Sequence, residues 1–207
     1  IYGPDYHRSW GLDTEFDVVA GMKRAHFTRL IAMVEERMRP GRVLDIGCAA
    51  GFFLDAARLR GWDAYGVEFA PAAAQMAQAR CGAERIFCGE LAQAHYEDGF
   101  YDAVFMSDLL EHVKNIAGFL QEVRRVLKRA GLIAVVTPNC GGLLCKLTGR
   151  YWPHYKREHL YYFSPETIGM LLEGSGFRTL LVRPVCKTLT FRYLDRHFAR
   201  YPLPVVS

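Results

Sequence analysis

The segment Val43-Leu44-Asp45-Ile46-Gly47-Cys48-Ala49-Ala50-Gly51 constrains this chain more than any other stretch. A short apolar run meets two glycines and then Phe52-Phe53-Leu54, which reads as a strand, a tight turn and the start of a helix. Glycines at 47 and 51 let the backbone bend sharply and approach a ligand with no Cβ in the way. A dinucleotide fingerprint would read G-x-G-x-x-G, with its pyrophosphate on the helix N-terminus. Here position 49 is alanine, and an acid, Asp45, stands at the turn. A carboxylate there repels pyrophosphate and suits a ligand that carries an ammonium group.

The rest of the chain repeats the alternation. A helix over 17–38 ends at Pro40-Gly41, followed by a strand over 42–47 and a helix over 51–60. A second strand runs 63–68, a helix starts at Pro71 and reaches about Arg80, and a weak third strand covers 85–88. A fourth strand is expected at 101–106, an amphipathic helix at 116–128 and a fifth strand at 132–136. Ser164 caps a last helix to about residue 174, and Phe177 to Val182 reads as a sixth strand. This order predicts an α/β fold: a Rossmann-like, doubly wound, mostly parallel sheet with helices on both faces. Ligands of such sheets bind beyond the carboxyl ends of the strands, where strand order reverses.

At that rim stands the second acid, Glu68, at the end of the second strand. A carboxylate there accepts hydrogen bonds from both hydroxyls of a ribose. Asp45 for an ammonium and Glu68 for a ribose together describe a nucleoside joined to an amino acid, and such a ligand is S-adenosyl-L-methionine.

With these residues in place, the chain resembles the class I S-adenosylmethionine-dependent methyltransferases, in the small-molecule group related to the ubiquinone-biosynthesis methyltransferases. The resemblance extends to Gly89-Glu90-Leu91, Phe100 to Val104, Asp108 to Val113, Phe119 to Ile133, Thr137-Pro138-Asn139, His159 to Ser164 and Gly174 to Phe177. It covers about residues 40–183. It implies a cofactor site made by Asp45, Gly47, Cys48, Gly51, Glu68, Phe69, Glu90, Leu91, Ser107 and Leu109. Glu90 and Leu91 fall where the family recognises adenine, with Leu91 offering a backbone donor. Phe69 is either a cover for adenine or a core residue. Ser107 and Leu109 follow strand four and would line the methionine end.

Two departures stand out. The family carries glycine where Ala49 and Ala130 stand, and alanine is tolerable there if φ stays negative. No run before Ser207 reads as the family's final antiparallel strand, and Ile1 is not Met, so a chain trimmed at its start and stopping short of that strand is expected.

His112 is a candidate general base, since an ordinary histidine titrates near neutral pH; a structural histidine tying down its loop is the competing reading. His159 and His154 are second candidates, with His159 the more structural of the two. No metal site is read: the six cysteines form no C-x-x-C pair, and no Cys and His set has zinc spacing. Free thiols in a reducing cytoplasm are expected.

At 207 residues the chain suits a single domain. Its divisions are an N-terminal cap and helix (1–39), a cofactor-binding core (40–138), an insertion (139–163), the last crossover helix and strand (164–183) and a tail (184–207). The insertion is rich in glycine and carries Tyr151, Trp152, Tyr155, Tyr161 and Tyr162, and loops of this length tend to be lids. Tyr2 and Tyr6 are expected to close from the opposite side. The net charge of +4 is mild, with basic groups gathered at Lys146, Arg150, Lys156 and Arg157 and again at Lys187, Arg192, Arg196 and Arg200. They are either a solvated face or a rim for an anionic acceptor or a membrane surface. No apolar run is long enough to span a bilayer and no signal peptide is read, so the expected place is the cytoplasm, with peripheral membrane contact left open.

The expected partner is a small-molecule methyl acceptor, not nucleic acid: Ser107-Asp108-Leu109-Leu110 lacks the Asn/Asp-Pro-Pro-aromatic turn of amino-N-methylating enzymes. The oligomeric state is not legible. The rival readings are an NAD(P)-dependent oxidoreductase and a non-catalytic relative that only binds the cofactor.

Overall fold

The computed structural model describes residues 16–185. Helix α1 (Phe16–Glu35) precedes β1 (Arg42–Ile46), α2 (Phe52–Leu59), β2 (Asp63–Glu68), α3 (Pro71–Cys81) and β3 (Ile86–Cys88). Then come β4 (Tyr101–Ser107), α4 (Ile116–Val126), β5 (Leu127–Val136), the short α5 (Leu143–Thr148) and α6 (Pro165–Gly174). The strands form one parallel sheet in the order β3-β2-β1-β4-β5. The chain builds outward from β1 to β3 and then returns to lay β4 on the other side of β1. Strand order therefore reverses between β1 and β4, and the crevice at their carboxyl ends is the ligand position this topology creates.

Side chains alternate across the sheet, and each face has its own core. Val43, Ala103 and Phe105 pack under α1, α2 and α3 with Leu30, Ile31, Phe53, Leu54 and Ala77. Phe53 stacks on Phe105 at 4.0 Å between centroids, and Phe27 meets both rings edge-on. Leu44, Ile46, Val104 and Met106 face the opposite side, where Leu120, Val123 and Val126 of α4 and the partly buried Ile168 and Leu171 of α6 cover them. The end of α1 is tied down through Glu35, which accepts from Trp62 Nε1 at 3.0 Å and from the Arg60 guanidinium. Ser164 caps α6 as its sequence predicts, accepting from Thr167 N.

Two expected elements differ. The fifth strand starts at Leu127, not 132, because α4 stops at Val126 and the chain enters the sheet at once. Tyr101 pairs with Leu127 and Ala103 with Leu132, so residues 128–131 bulge out of register, with Lys128 Nζ bonded to Asp102 Oδ1 at 2.6 Å. The sixth strand is absent among the described residues: 177–185 carries no strand, and Leu180, Leu181 and Val182 are exposed. A strand exists only where a neighbour supplies ladder hydrogen bonds, and among the described residues nothing pairs with the outer edge of β5. Tyr2, Tyr6, Cys186, Lys187 and the later arginines lie outside the described residues.

Candidate functional site

The turn after β1 is held in an unusual backbone state. Gly47, Ala49 and Gly51 have φ of +77, +47 and +78°. A Cβ on Gly47 would come 3.3 Å from Leu109 Cδ1, and one on Gly51 would come 3.2 Å from Ala77 Cα. The two glycines are thus needed both for conformation and for close packing. Ala49 corrects the sequence expectation: its φ is positive, so its Cβ is strained where glycine would not be. Asp108, after β4, is a second strained non-glycine residue at this rim, with φ of +53°.

Asp45 is 4% exposed and Glu68 is 6% exposed. Burial, followed by the nearby Glu68, holds the Asp45 carboxyl well above the usual carboxylate range. A site with two buried acids calls for positive charge. The Glu68 carboxylate also bridges two turns: Oε2 accepts from Ala49 N and Oε1 from Ala70 N, each at 2.8 Å. Each oxygen retains acceptor capacity for a further donor. Gly47 N and Cys48 N both donate to the Val67 carbonyl, at 2.8 and 3.1 Å. Cys48 points into the core, its Sγ only 2.7 Å from where a Cβ on Gly66 would fall. Burial drives its thiol far up, so this cysteine is a packing residue and not a nucleophile.

The remaining sequence candidates line the same rim. Phe69 is 65% exposed just past Glu68, free to lie against a flat ligand. Glu90 is exposed and caps the 3-10 turn Leu91–Ala94, while Leu91 is buried beneath it. Ser107 and Leu109 are half-buried after β4, and Leu109 packs against the Gly47 turn.

His112 and His159 come together, ring centroids 4.8 Å apart and edge-on. His112 Nδ1 lies 2.9 Å from the Glu158 carbonyl oxygen. A carbonyl only accepts, so Nδ1 carries the proton and the lone pair is on Nε2. Burial and the neighbouring His112 push His159 down to about 4, which leaves it neutral near pH 7. The two rings continue into a cluster of Tyr162, Tyr155 and Trp152 in the 139–163 segment. That segment is pinned at its ends, by Cys140 N to Phe163 O at 2.8 Å and by Leu160 N to Glu111 O at 2.8 Å. His154 packs edge-on to Trp152, in that cluster. What the sequence analysis did not single out is Glu111. It is 1% exposed, accepts from Thr137 Oγ1 at 3.1 Å, and has a carboxylate oxygen within 4.8 Å of a ring nitrogen of each histidine. Lys146, Arg150 and Arg157 are exposed, and none of the described helices is long and apolar enough to cross a membrane.

The donor set fits S-adenosyl-L-methionine: buried acids for its cationic and hydroxyl groups, and a glycine turn that admits close approach. Comparisons with known proteins agree. The methyltransferase domain family matches residues 20–182. The malonyl-[acyl-carrier protein] O-methyltransferase of Serratia marcescens is 29% identical over 154 residues, 73% of this chain, and the chain spans 59% of that protein's length. The ubiquinone biosynthesis O-methyltransferase of Paracidovorax citrulli is 25% identical over 186 residues, covering 86% of this chain and 71% of the relative. In fold, a SAM-dependent methyltransferase from Archaeoglobus fulgidus superposes with a TM-score of 0.64 at 20% identity, covering 91% of this chain and 93% of its own. One from Aquifex aeolicus gives 0.64 at 19% identity, covering 89% and 94%. These findings set aside the nicotinamide alternative: the chain belongs to the methyltransferase domain family, in its class I fold, with S-adenosyl-L-methionine as cofactor.

Proposed function

We propose that this chain transfers a methyl group from S-adenosyl-L-methionine to a small-molecule acceptor, with the cofactor seated across the carboxyl ends of β1, β2 and β4. The observation that carries this reading is the pair of buried acids, Asp45 in β1 and Glu68 at the end of β2, beside the point where strand order reverses. Asp45 faces the ammonium end, Glu68 accepts the ribose hydroxyls on its remaining lone pairs, and Phe69 covers the adenine. Glu90 and the backbone of Leu91 border the base, while Gly47, the Cys48 backbone and Gly51 let the ligand approach. Ser107 and Leu109 flank the methionine end.

Bound S-adenosyl-L-methionine supplies a sulfonium methyl, whose departure needs no acid. The chain's own work is then alignment and exclusion of water. The 139–163 segment serves as the lid, and its tether to Glu111 and the contact between the His112 and His159 rings support a role for both histidines at the acceptor side. The exposed Lys146, Arg150 and Arg157 favour an acceptor with an anionic handle on an apolar, sugar or lipid body.

Calorimetry with S-adenosylhomocysteine and with NADH tests the cofactor half. One site for the first and no heat from the second is expected; the reverse would refute the proposal. Release of S-adenosylhomocysteine in a screen of anionic acceptors separates an enzyme from a relative that only binds.

A further inference from the structure

We propose that the outward face of α5 and the turn after it dock an acidic, amphipathic helix of a partner protein. This deepens the anionic-handle reading above by placing the negative charge on a protein, and rests on that reading for the segment's place beside the acceptor. The helix Leu143–Thr148 is packed in the reverse of the usual sense. Its buried residue is Cys145, at 7% exposure, while Leu143, Leu144 and Leu147 are 72, 57 and 75% exposed. Residues three and four apart on a helix share a face, so these leucines form one apolar ridge. A contiguous exposed ridge of this kind marks an interaction surface, unlike a single exposed leucine.

The ridge is held out from beneath. Cys145 Sγ lies 3.9 Å from the Tyr155 hydroxyl, and the buried Trp152 packs edge-on to the same tyrosine ring. Cys140 N, donating to Phe163 O at 2.8 Å, ties down the approach to the helix. At its end Thr148 Oγ1 donates back to the Leu144 carbonyl at 2.7 Å, so this hydroxyl is satisfied within the helix.

Charge says what the ridge would meet. From Asn139 to Arg157 the chain carries Lys146, Arg150, Lys156 and Arg157 and not one Asp or Glu. Among the described residues none of these four cations has an ion-pair partner. Lys146 stands on α5 three residues past Leu143, and Arg150 follows in the 3-10 turn Gly149–Tyr151, bonded to the Tyr151 hydroxyl at 2.6 Å. The complement is a helix whose apolar stripe is flanked by Asp and Glu: the stripe covers the leucines and the acids meet the cations. A second copy of this chain fits poorly, because the same cations would face one another. A lipid surface fits poorly too. Interfacial helices bind in proportion to the apolar area they bury, and six residues rise only about 9 Å.

The test is fluorescence anisotropy with two labelled helical peptides of one leucine pattern, one flanked by glutamate and one by lysine. Sedimentation with phosphatidylglycerol–phosphatidylcholine vesicles runs beside it. The proposal expects one acidic peptide per chain, bound at least about tenfold tighter than the basic one and weakened by salt. Leu143→Ser with Leu147→Ser is expected to weaken it at least about tenfold, and Lys146→Glu with Arg150→Glu to turn the preference to the basic peptide. Retained S-adenosylhomocysteine affinity in the leucine variant shows that it folds. No binding of the acidic peptide, equal binding of the two peptides, or equal binding by parent and leucine variant overturns the proposal. So does vesicle binding that the leucine variant loses while neither peptide binds, which gives the face to lipid. A dimer of the parent that the leucine variant dissociates also overturns it, giving the face to a second copy. Peptide binding without S-adenosylhomocysteine binding refutes the cofactor reading and leaves the surface standing; the opposite pattern does the reverse.

Discussion

Glu68 Oε2 accepts a hydrogen bond from Ala49 N at 2.8 Å, so the acid that ends β2 holds in place the strained alanine of the turn after β1. Its other oxygen fixes Ala70 N at the start of α3. Glu68 thus has a structural duty that precedes any ligand. Glu68→Ala is predicted to leave two amides without their acceptor, at about 1–3 kcal/mol for each that stays buried. It is also predicted to weaken S-adenosylhomocysteine binding at least about tenfold. Urea unfolding and calorimetry read the two effects separately. A variant as stable as the parent would mean that water satisfies these amides.

Ala49→Gly is predicted to stabilise the fold. A left-handed residue with a Cβ costs about 1–2 kcal/mol, while glycine raises the entropy of the unfolded chain by about 0.4–1 kcal/mol. The net gain of roughly 0.5–1 kcal/mol corresponds to a few degrees in Tm for a domain of this size. A lower Tm would show that the alanine methyl makes contacts worth more than its strain.

Asp45 links stability and cofactor affinity to pH in opposite ways. Its folded pKa is raised by burial and by Glu68, so the folded state holds a proton that the unfolded state gives up. The stability this confers is present at low pH and is lost as pH rises through the folded value. Asp45→Asn is therefore predicted to raise Tm at pH 7, and to raise it less near pH 4, while weakening S-adenosylhomocysteine. In the parent chain a ligand ammonium favours the ionised acid, so binding should release a proton and strengthen with pH. Calorimetry in buffers of different ionisation enthalpy counts that proton; zero or uptake would contradict the assignment.

Much of this was legible in the sequence. Residues 63–68 are the second strand and Ser164 is a cap, because apolar alternation and cap chemistry are local. The sixth strand failed because Phe177 to Val182 has the composition of a strand but finds no neighbour among the described residues, and pairing is not written in the segment itself. Asp45 and Glu68 were readable as acids at strand ends, whereas the bridge from Glu68 to Ala49 depends on how two turns meet. Glu111 was passed over because Thr137, which donates to it, follows another strand and His159, which lies near it, belongs to the 139–163 segment, so only the folded chain brings them together.

Trypsin is predicted to cut first at Lys146, Arg150 or Arg157, which are exposed in the 139–163 segment. Trp152 is the buried anchor of its ring cluster. Trp152→Ala removes contacts worth about 3–5 kcal/mol and should accelerate cleavage at these sites at least tenfold. First cuts within α2 or α4 would mean that the segment is as firmly held as the sheet.

The central claim is that S-adenosyl-L-methionine lies across the carboxyl ends of β1, β2 and β4, and a crystal structure with S-adenosylhomocysteine tests it most directly. The account predicts ribose hydroxyls within about 3.2 Å of the Glu68 carboxylate, a hydrogen-bond distance. It also predicts the amino group toward Asp45 and the sulfur facing Ser107 and Leu109. A ligand seated elsewhere, or one whose ribose is held by a different residue while Glu68 binds only Ala49 and Ala70, would contradict it.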